Sequence, residues 1–368
     1  MLVCVTSFIK RNTVFVIAVF AAAFTSLIVP PDSQYLTYFD FKTLTCLFCV
    51  LAVVCALKNV HFFYILAQKI VEKFSNLRRC TIALVYITFI GSMLIANDMA
   101  LLTFLPLGYL ILTATGKEKY MAIVFILQNI AANLGGMLTP FGNPQNLFLY
   151  TKFNIPTAEF VEIMLPPFAL SIVLITACCF LIKPENITFS SEKYHADKKK
   201  TIFYLVLFAL SIIIVFRVIP YWIGLAVIPL CLLFSDRKAL LEIDYGLLGT
   251  FAAFFVFAGN MSRIPVVRQF FSALLEKSTL VFSVVSCQLI SNVPSAILLS
   301  QFTENYRELL LGVNIGGAGT LIASLASLIT FREYIKSNPG EGLYYTGLFS
   351  AFNFSFVIIL TVFMLMIS

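Results

Sequence analysis

Charge is what this chain has least of. Lys, Arg, Asp and Glu make up 12% of its 368 residues, against 60% hydrophobic residues and a mean hydropathy of +0.95. That leaves too few charges to solvate a water-soluble domain of this length, so that class is excluded. Histidine is scarce too: His61 and His195 stand alone, and neither is given a role. No phosphate loop, zinc motif or nucleophile elbow is present, so an intramembrane enzyme has no acid/base or metal constellation to stand on. The alternating strands of a membrane barrel are missing. Apolar runs of roughly 17–25 residues recur instead, the length of a helix that crosses a bilayer. The expected fold class is an all-α polytopic membrane protein that meets the lipid bilayer and no nucleic acid.

The nine cysteines do not alter this. Most lie in apolar runs, and Cys46 and Cys49, spaced as CxxC, have no second pair and no nearby histidine, so they read as small packing residues. An apolar run from Thr13 to Val29 follows Lys10-Arg11. It is long for a cleaved signal peptide and is taken as the first span.

Nine spans are expected, at 12–29, 42–57, 120–150, 160–182, 200–216, 218–234, 246–261, 308–332 and 343–367. Residues 58–78 and 262–277 form basic amphipathic connectors. Residues 80–113 and 279–302 each hold two apolar arms of roughly 15 residues around a polar tip, short enough for re-entrant hairpins. With the N-terminus cytoplasmic and the hairpins not crossing, the inner segments carry 18 Lys+Arg and the outer segments seven. That bias agrees with the positive-inside rule and makes 183–200 a cytoplasmic linker.

Two of the spans are interrupted. Asn133-Leu134-Gly135-Gly136-Met137-Leu138-Thr139-Pro140-Phe141-Gly142-Asn143-Pro144-Gln145-Asn146 puts three Gly, two Pro and three Asn where an unbroken helix is expected. At membrane depth, irregular backbone survives only buried in protein or lining a polar cavity. The segment therefore reads as a broken helix at a binding site, with a kinked structural helix as the plainer alternative.

The halves repeat. A shift of 204 carries Asp32 onto Asp236, Asp40 onto Asp244 and Leu44 onto Leu248. A shift of 195 carries Ile95-Ala96-Asn97 onto Ile290-Ser291-Asn292, and one of 181 carries Asn133-Leu134-Gly135-Gly136 onto Asn314-Ile315-Gly316-Gly317. An odd number of spans precedes the second copy, so the copies should face opposite ways. Paired broken helices in inverted repeats mark secondary transporters, with the site at the midplane between them. The expected organisation is a first repeat at 1–182, a linker and connecting helix at 183–217, and a second repeat at 218–368.

The polar breaks supply the chemistry. Asn97 and Asp98 can cap the helix after the first tip, and Asn292 the one after the second. Helix N-termini carry unpaired N–H groups and favour anions. Thr139, Asn143, Gln145, Asn146, Ser291, Asn314, Thr320 and Ser324 add neutral hydrogen-bonding side chains, and Gly142 and Gly316 add loop carbonyls. Taken singly, each has local capping as its plainer role. Asp98 is the one acidic residue placed deep in the membrane, with Arg217 and Arg332 only at segment ends. A buried carboxylate needs a proton or a cation, which ties an anionic substrate to H+ or Na+ coupling. Asn97, Asp98, Gly142, Asn146 and Asn292 are the expected Na+ ligands; no other metal and no cofactor is expected.

Ala96-Asn97-Asp98, Thr139-Pro140-Phe141-Gly142-Asn143-Pro144-Gln145-Asn146, Ser291-Asn292-Val293-Pro294 and the run from Gly312 to Leu328 together resemble the ion transporter superfamily. That group includes divalent anion/sodium symporters, citrate transporters and arsenite permeases. The resemblance covers nearly the whole chain. It implies an elevator mechanism, a homodimer through a scaffold domain, and a transport domain holding both hairpins and both broken helices. It also implies a plasma-membrane carrier of a di- or tricarboxylate or an inorganic oxyanion. In the dicarboxylate symporters both tips read Ser-Asn-Thr. This chain lacks that Ser at the first tip and that Thr at both, and its Asn-Asp tip is similar to arsenite permeases and some sodium/proton antiporters. Arsenite or antimonite efflux and Na+/H+ antiport therefore stay open beside anion symport. A channel would not need paired hairpins.

Overall fold

The computed structural model describes residues 13–187 and 197–367. Lys10, Arg11, His195 and residues 188–196 of the linker lie outside them. The described residues are helical and loop only, apart from one isolated bridge between Asn76 and Asn186. Among the described residues, seven helices are long and apolar enough to cross a membrane.

The same order of elements occurs twice. The first series is α1 (Thr13–Ile28), the short α2 (Tyr35–Tyr38), α3 (Phe41–Asn59) and the amphipathic α4 (Phe62–Val71). A hairpin of α5 (Leu77–Ile95) and α6 (Asn97–Ala114) follows. Next come the paired half-helices α7 (Met121–Gly135) and α8 (Pro144–Lys152), then α9 (Thr157–Cys179). The connecting helix α10 (Lys198–Val215) leads to α11 (Tyr221–Ser235), the short α12 (Arg237–Leu241), α13 (Tyr245–Ser262) and the amphipathic α14 (Pro265–Lys277). The second hairpin is α15 (Thr279–Ile290) and α16 (Asn292–Leu299). The second pair of half-helices is α17 (Tyr306–Gly316) and α18 (Leu325–Ser337), and α19 (Gly342–Ile367) ends the chain.

Capping chemistry repeats with the order. Asp40 accepts the Thr43 amide at 2.9 Å to start α3, and Asp244 accepts the Leu247 amide at 2.9 Å to start α13. Each satisfies a donor that the first turn leaves orphaned. Hairpin arms differ from the expected length. In the first hairpin they run 19 and 18 residues, each long enough to cross a membrane by itself. Asn76 caps α5 ahead of Arg78 and Arg79, so the helix begins before the apolar run does. In the second hairpin the arms are 12 and 8 residues.

Packing sorts the helices into two groups. α3 is buried all round, and α10, α11 and α12 pack on it while α1 packs on α13. Cys46 and Cys49 lie inside this group, where Cys49 Sγ sits against Gly224 of α11. The other group joins each hairpin to its half-helices: α5 and α6 to α7, and α15 and α16 to α17. The second half-helices cross over. α8 packs on α16 and α17 of the other series, and α18 packs on α6 and α7.

Candidate functional site

Both apolar segments are broken where the glycines, prolines and asparagines fall. α7 tightens into a 3-10 turn at Gly136–Leu138, and helix resumes only at Pro144, at the first position of α8. α17 stops at Gly316 and α18 starts after Ser324, whose hydroxyl accepts the Ser327 amide at 3.2 Å. The glycines allow close approach. A Cβ on Gly135 would sit 2.2 Å from the Phe89 carbonyl oxygen of α5, and one on Gly142 would sit 2.3 Å from the Gly136 carbonyl oxygen. Shifts of 181 and 195 carry Gly135, Phe89 and Ser92 onto Gly316, Val284 and Cys287. A Cβ on Gly316 would meet Cys287 of α15 at 2.8 Å.

Each hairpin tip is fastened to the interruption beside it in the same way. Ala96 and Ser291 hold φ of 65° and 77°, a conformation unusual outside glycine. The next amide donates across: Asn97 N–H to the Gly142 carbonyl at 3.2 Å, Asn292 N–H to the Ala323 carbonyl at 2.9 Å. Neither Asn sits at the N-cap position expected of it. Each is the first helical residue, and its Oδ1 accepts the following amide, from Asp98 at 2.9 Å or Val293 at 2.8 Å. The Thr139 and Thr320 hydroxyls donate to hairpin carbonyls, of Met93 at 2.7 Å and Gln288 at 3.3 Å. They pin loop to hairpin.

Amide side chains then link the two series. Asn97 Nδ2 donates to Asn133 Oδ1 at 3.2 Å. Asn143 Nδ2 donates to the Asn133 carbonyl at 3.2 Å and to Asn314 Oδ1 at 3.1 Å. Gln145 Nε2 reaches the same Asn314 oxygen at 3.4 Å, and Asn314 Nδ2 donates to Asn146 Oδ1 at 2.6 Å. Asn146 Nδ2 closes the first loop by donating to the Gly136, Met137 and Thr139 carbonyls, each at 3.2 Å. All these amide side chains are buried. A buried amide cluster persists only if its groups are paired or find another partner. Asp98 Oδ1, Asn143 Oδ1 and Gln145 Oε1 are buried with no hydrogen-bond partner among the described residues.

Asn97, Gly142, Asn143, Gln145, Asn146 and Asn314 thus form one network. Ser291 and Asn292, with Thr320 and Ser324, form the second tip and loop, and the Ser291 hydroxyl donates to the Ala323 carbonyl at 3.2 Å. Gly316 packs on α15. Several contributors carry no motif. Gln288 of α15 accepts the Thr320 amide at 2.8 Å and donates to the Gly316 carbonyl at 2.9 Å. Asn129 of α7 meets Ser327 and Thr330 of α18, both at 3.4 Å. The spacing of Asn129 and Asn133 by one helical turn is the one signal that marks this face of α7.

Interrupted membrane helices packed around a buried amide cluster define a membrane transporter, and the comparisons with known proteins agree. The family model described as citrate transporter matches residues 1–306. The chain belongs to the citrate transporter family. It is 34% identical over 294 residues to an uncharacterised transporter of Methanocaldococcus jannaschii, covering 80% of this chain and 81% of that one. It is 30% identical over 287 residues to the inner membrane protein YbiR of Escherichia coli strain K12, covering 74% of each.

Proposed function

We propose that the protein is a secondary active transporter of a small anion, a di- or tricarboxylate or an inorganic oxyanion, coupled to Na+ or H+. The observation that carries this reading is the amide cluster at Asn314, where both series meet beside buried, unpartnered oxygens of Asn143 and Gln145; Asp98, next to Asn97 at the first tip, adds a third such oxygen. Helices α6, α8, α16 and α18 begin at the tips and loops, and the positive ends of their dipoles favour an anion there. The free oxygens suit a hard cation or a proton. An anion near the Asp98 carboxylate is repelled unless a cation or proton neutralises the pair, and that requirement is the physical origin of coupling.

The rest of the reading follows the repeated element order. Residues 1–182 and 218–368 are inverted repeats joined by 183–217, and hairpins 80–113 and 279–302 re-enter from opposite faces. The group with hairpins and half-helices slides against the group built on α3, α10 and α13, and the latter forms a homodimer interface. The protein sits in the plasma membrane with its N-terminus cytoplasmic, as the basic bias of the inner segments supports. The family's description makes citrate the first substrate to test.

Purified protein in liposomes tests this. Saturable citrate or succinate uptake driven by a Na+ or H+ gradient is the expected result; no uptake under either gradient, for carboxylates and oxyanions alike, rejects the reading. Na+/H+ antiport is the second reading, favoured by the free Asp98 oxygen. It predicts proton movement on adding Na+ with no anion present.

A further inference from the structure

The turn after the connecting helix α10 grips the first interruption at both ends. Phe216 sets its ring edge-on to Phe141, centroids 5.9 Å apart at 77°. Arg217 lays its guanidinium over the Tyr150 ring, 4.1 Å from the centroid, and its Nη2 donates to the Tyr150 carbonyl. Phe141 opens the turn that leads into α8, and Tyr150 lies in the last turn of α8. Between them stand Asn143, Gln145 and Asn146.

Three features mark Arg217 as more than a segment-end charge. Its backbone is left-handed, with φ of 65°, because it closes α10: its amide donates to the Ile214 carbonyl at 2.9 Å and that of Val218 to the Ile213 carbonyl at 3.2 Å, so the helix end itself fixes where Arg217 stands. No carboxylate pairs with it among the described residues, and its Nε is buried without a partner. Its cation meets carbonyl oxygen at a helix C-terminus, the end where positive charge is favoured. Tyr150 transmits the grip because it is itself fixed, 1% exposed, with its hydroxyl 2.7 Å from Thr157 Oγ1 and its ring 5.8 Å from Phe160. Among the described residues, the second series has no such cation. A shift of 181 carries Tyr150 onto Phe331, which packs on the Tyr345 ring at 5.9 Å.

We propose that Arg217 is a positioning residue for the anion site. By clamping the far end of α8, it sets where Asn143, Gln145 and Asn146 stand relative to Asn314. This inference rests on the transport reading for its ligand but not for its geometry.

The test compares Arg217→Ala and Arg217→Lys with wild type as full-length protein in nanodiscs and liposomes. Hydrogen–deuterium exchange should quicken over 141–152 in Arg217→Ala and stay unchanged over 322–336. Transport KM should rise about tenfold, with maximal rate within about twofold, because displaced binding groups weaken affinity rather than turnover. Arg217→Lys, which keeps the charge but loses the planar stack, should fall between the two. Unchanged exchange over 141–152, or a uniform rise along the chain, overturns the proposal; so does an unchanged KM. If Arg217→Ala does not fold, Arg217→Lys carries the test alone, and wild-type exchange over 141–152 there overturns it. If wild type moves no anion while 141–152 still loosens, the transport reading has failed and the clamp has not.

Discussion

The first interruption is amide-rich and the second hydroxyl-rich. A shift of 181 carries Asn143 onto Ser324, Gln145 onto Ala326 and Asn146 onto Ser327, and a shift of 195 carries Asp98 onto Val293. Backbone geometry is shared between them: the same left-handed residue at the tip, the same amide-to-carbonyl bond from tip to loop, the same threonine pinned to its hairpin. What holds each loop is not shared. Gln288 spans the second loop with hydrogen bonds at 2.8 and 2.9 Å, while Met93 stands at the corresponding place in the first series. The first loop is held by Asn146 donating to three carbonyls and by Arg217 from outside. The repeated frame fixes where two half-helices begin. The residues placed on it give one series the free oxygens and the acidic group, and leave the other a tied-down partner.

That contrast can be broken most severely at Asn314, which ties three amide side chains of the first series to the second. Asn314→Ala strips partners from Asn143, Gln145 and Asn146 together. Buried polar groups left unpaired cost about 1–3 kcal/mol each, so uptake should fall roughly a hundredfold. Asn133→Ala, its counterpart, should cost about tenfold, since its side chain has only Asn97 beyond its own helix. Equal losses would mean that the two series are energetically equivalent. Asp98→Asn comes next. Transport should lose its dependence on the coupling ion while the thermal midpoint stays within a few degrees of wild type. Retained dependence would remove Asp98 from coupling.

Two smaller effects sharpen the comparison. Gly135→Ala meets a backbone oxygen at 2.2 Å, and Gly316→Ala meets the Cys287 side chain at 2.8 Å. Overpacking costs typically about 1–3 kcal/mol, and the first should lie at the top of that range and the second at the bottom, read as thermal midpoints. The smallest effect belongs to the clamp at the base of the first hairpin. Glu185 is held down to about 2 by hydrogen bonds from Lys117, Tyr120 and Lys119. A depressed carboxylate stabilises fully above its unfolded value of 4.5 and loses that contribution as pH falls through about 2. Wild type should therefore exceed Glu185→Gln in thermal midpoint near neutral pH, with the gap closing across that window.

Much of the frame is legible in the sequence because membrane burial makes polar and helix-breaking residues conspicuous. Asn97, Gly142, Asn143, Asn146, Asn292 and Asn314 stand out as interruptions, and the structure brings them to the hairpin–loop junctions. Gln288, Asn129 and Arg217 do not stand out. Each is a polar residue inside or at the end of an apolar helix with no helix breaker beside it, and its role depends on a partner far away in sequence: Thr320, Ser327 and Tyr150 respectively. The arm lengths of the first hairpin are misjudged for a related reason. Hydropathy counts apolar residues, whereas α5 starts at its Asn76 cap and carries Arg78 and Arg79 in its first turn.

The central claim is that the two interruptions form a single anion site. A density map of the purified protein with saturating citrate and Na+ tests it directly. Anion density is expected within hydrogen-bond reach, about 3 Å, of side chains or amides from both 143–146 and 291–324. Density confined to one series, or lodged in a groove away from Asn314, contradicts it.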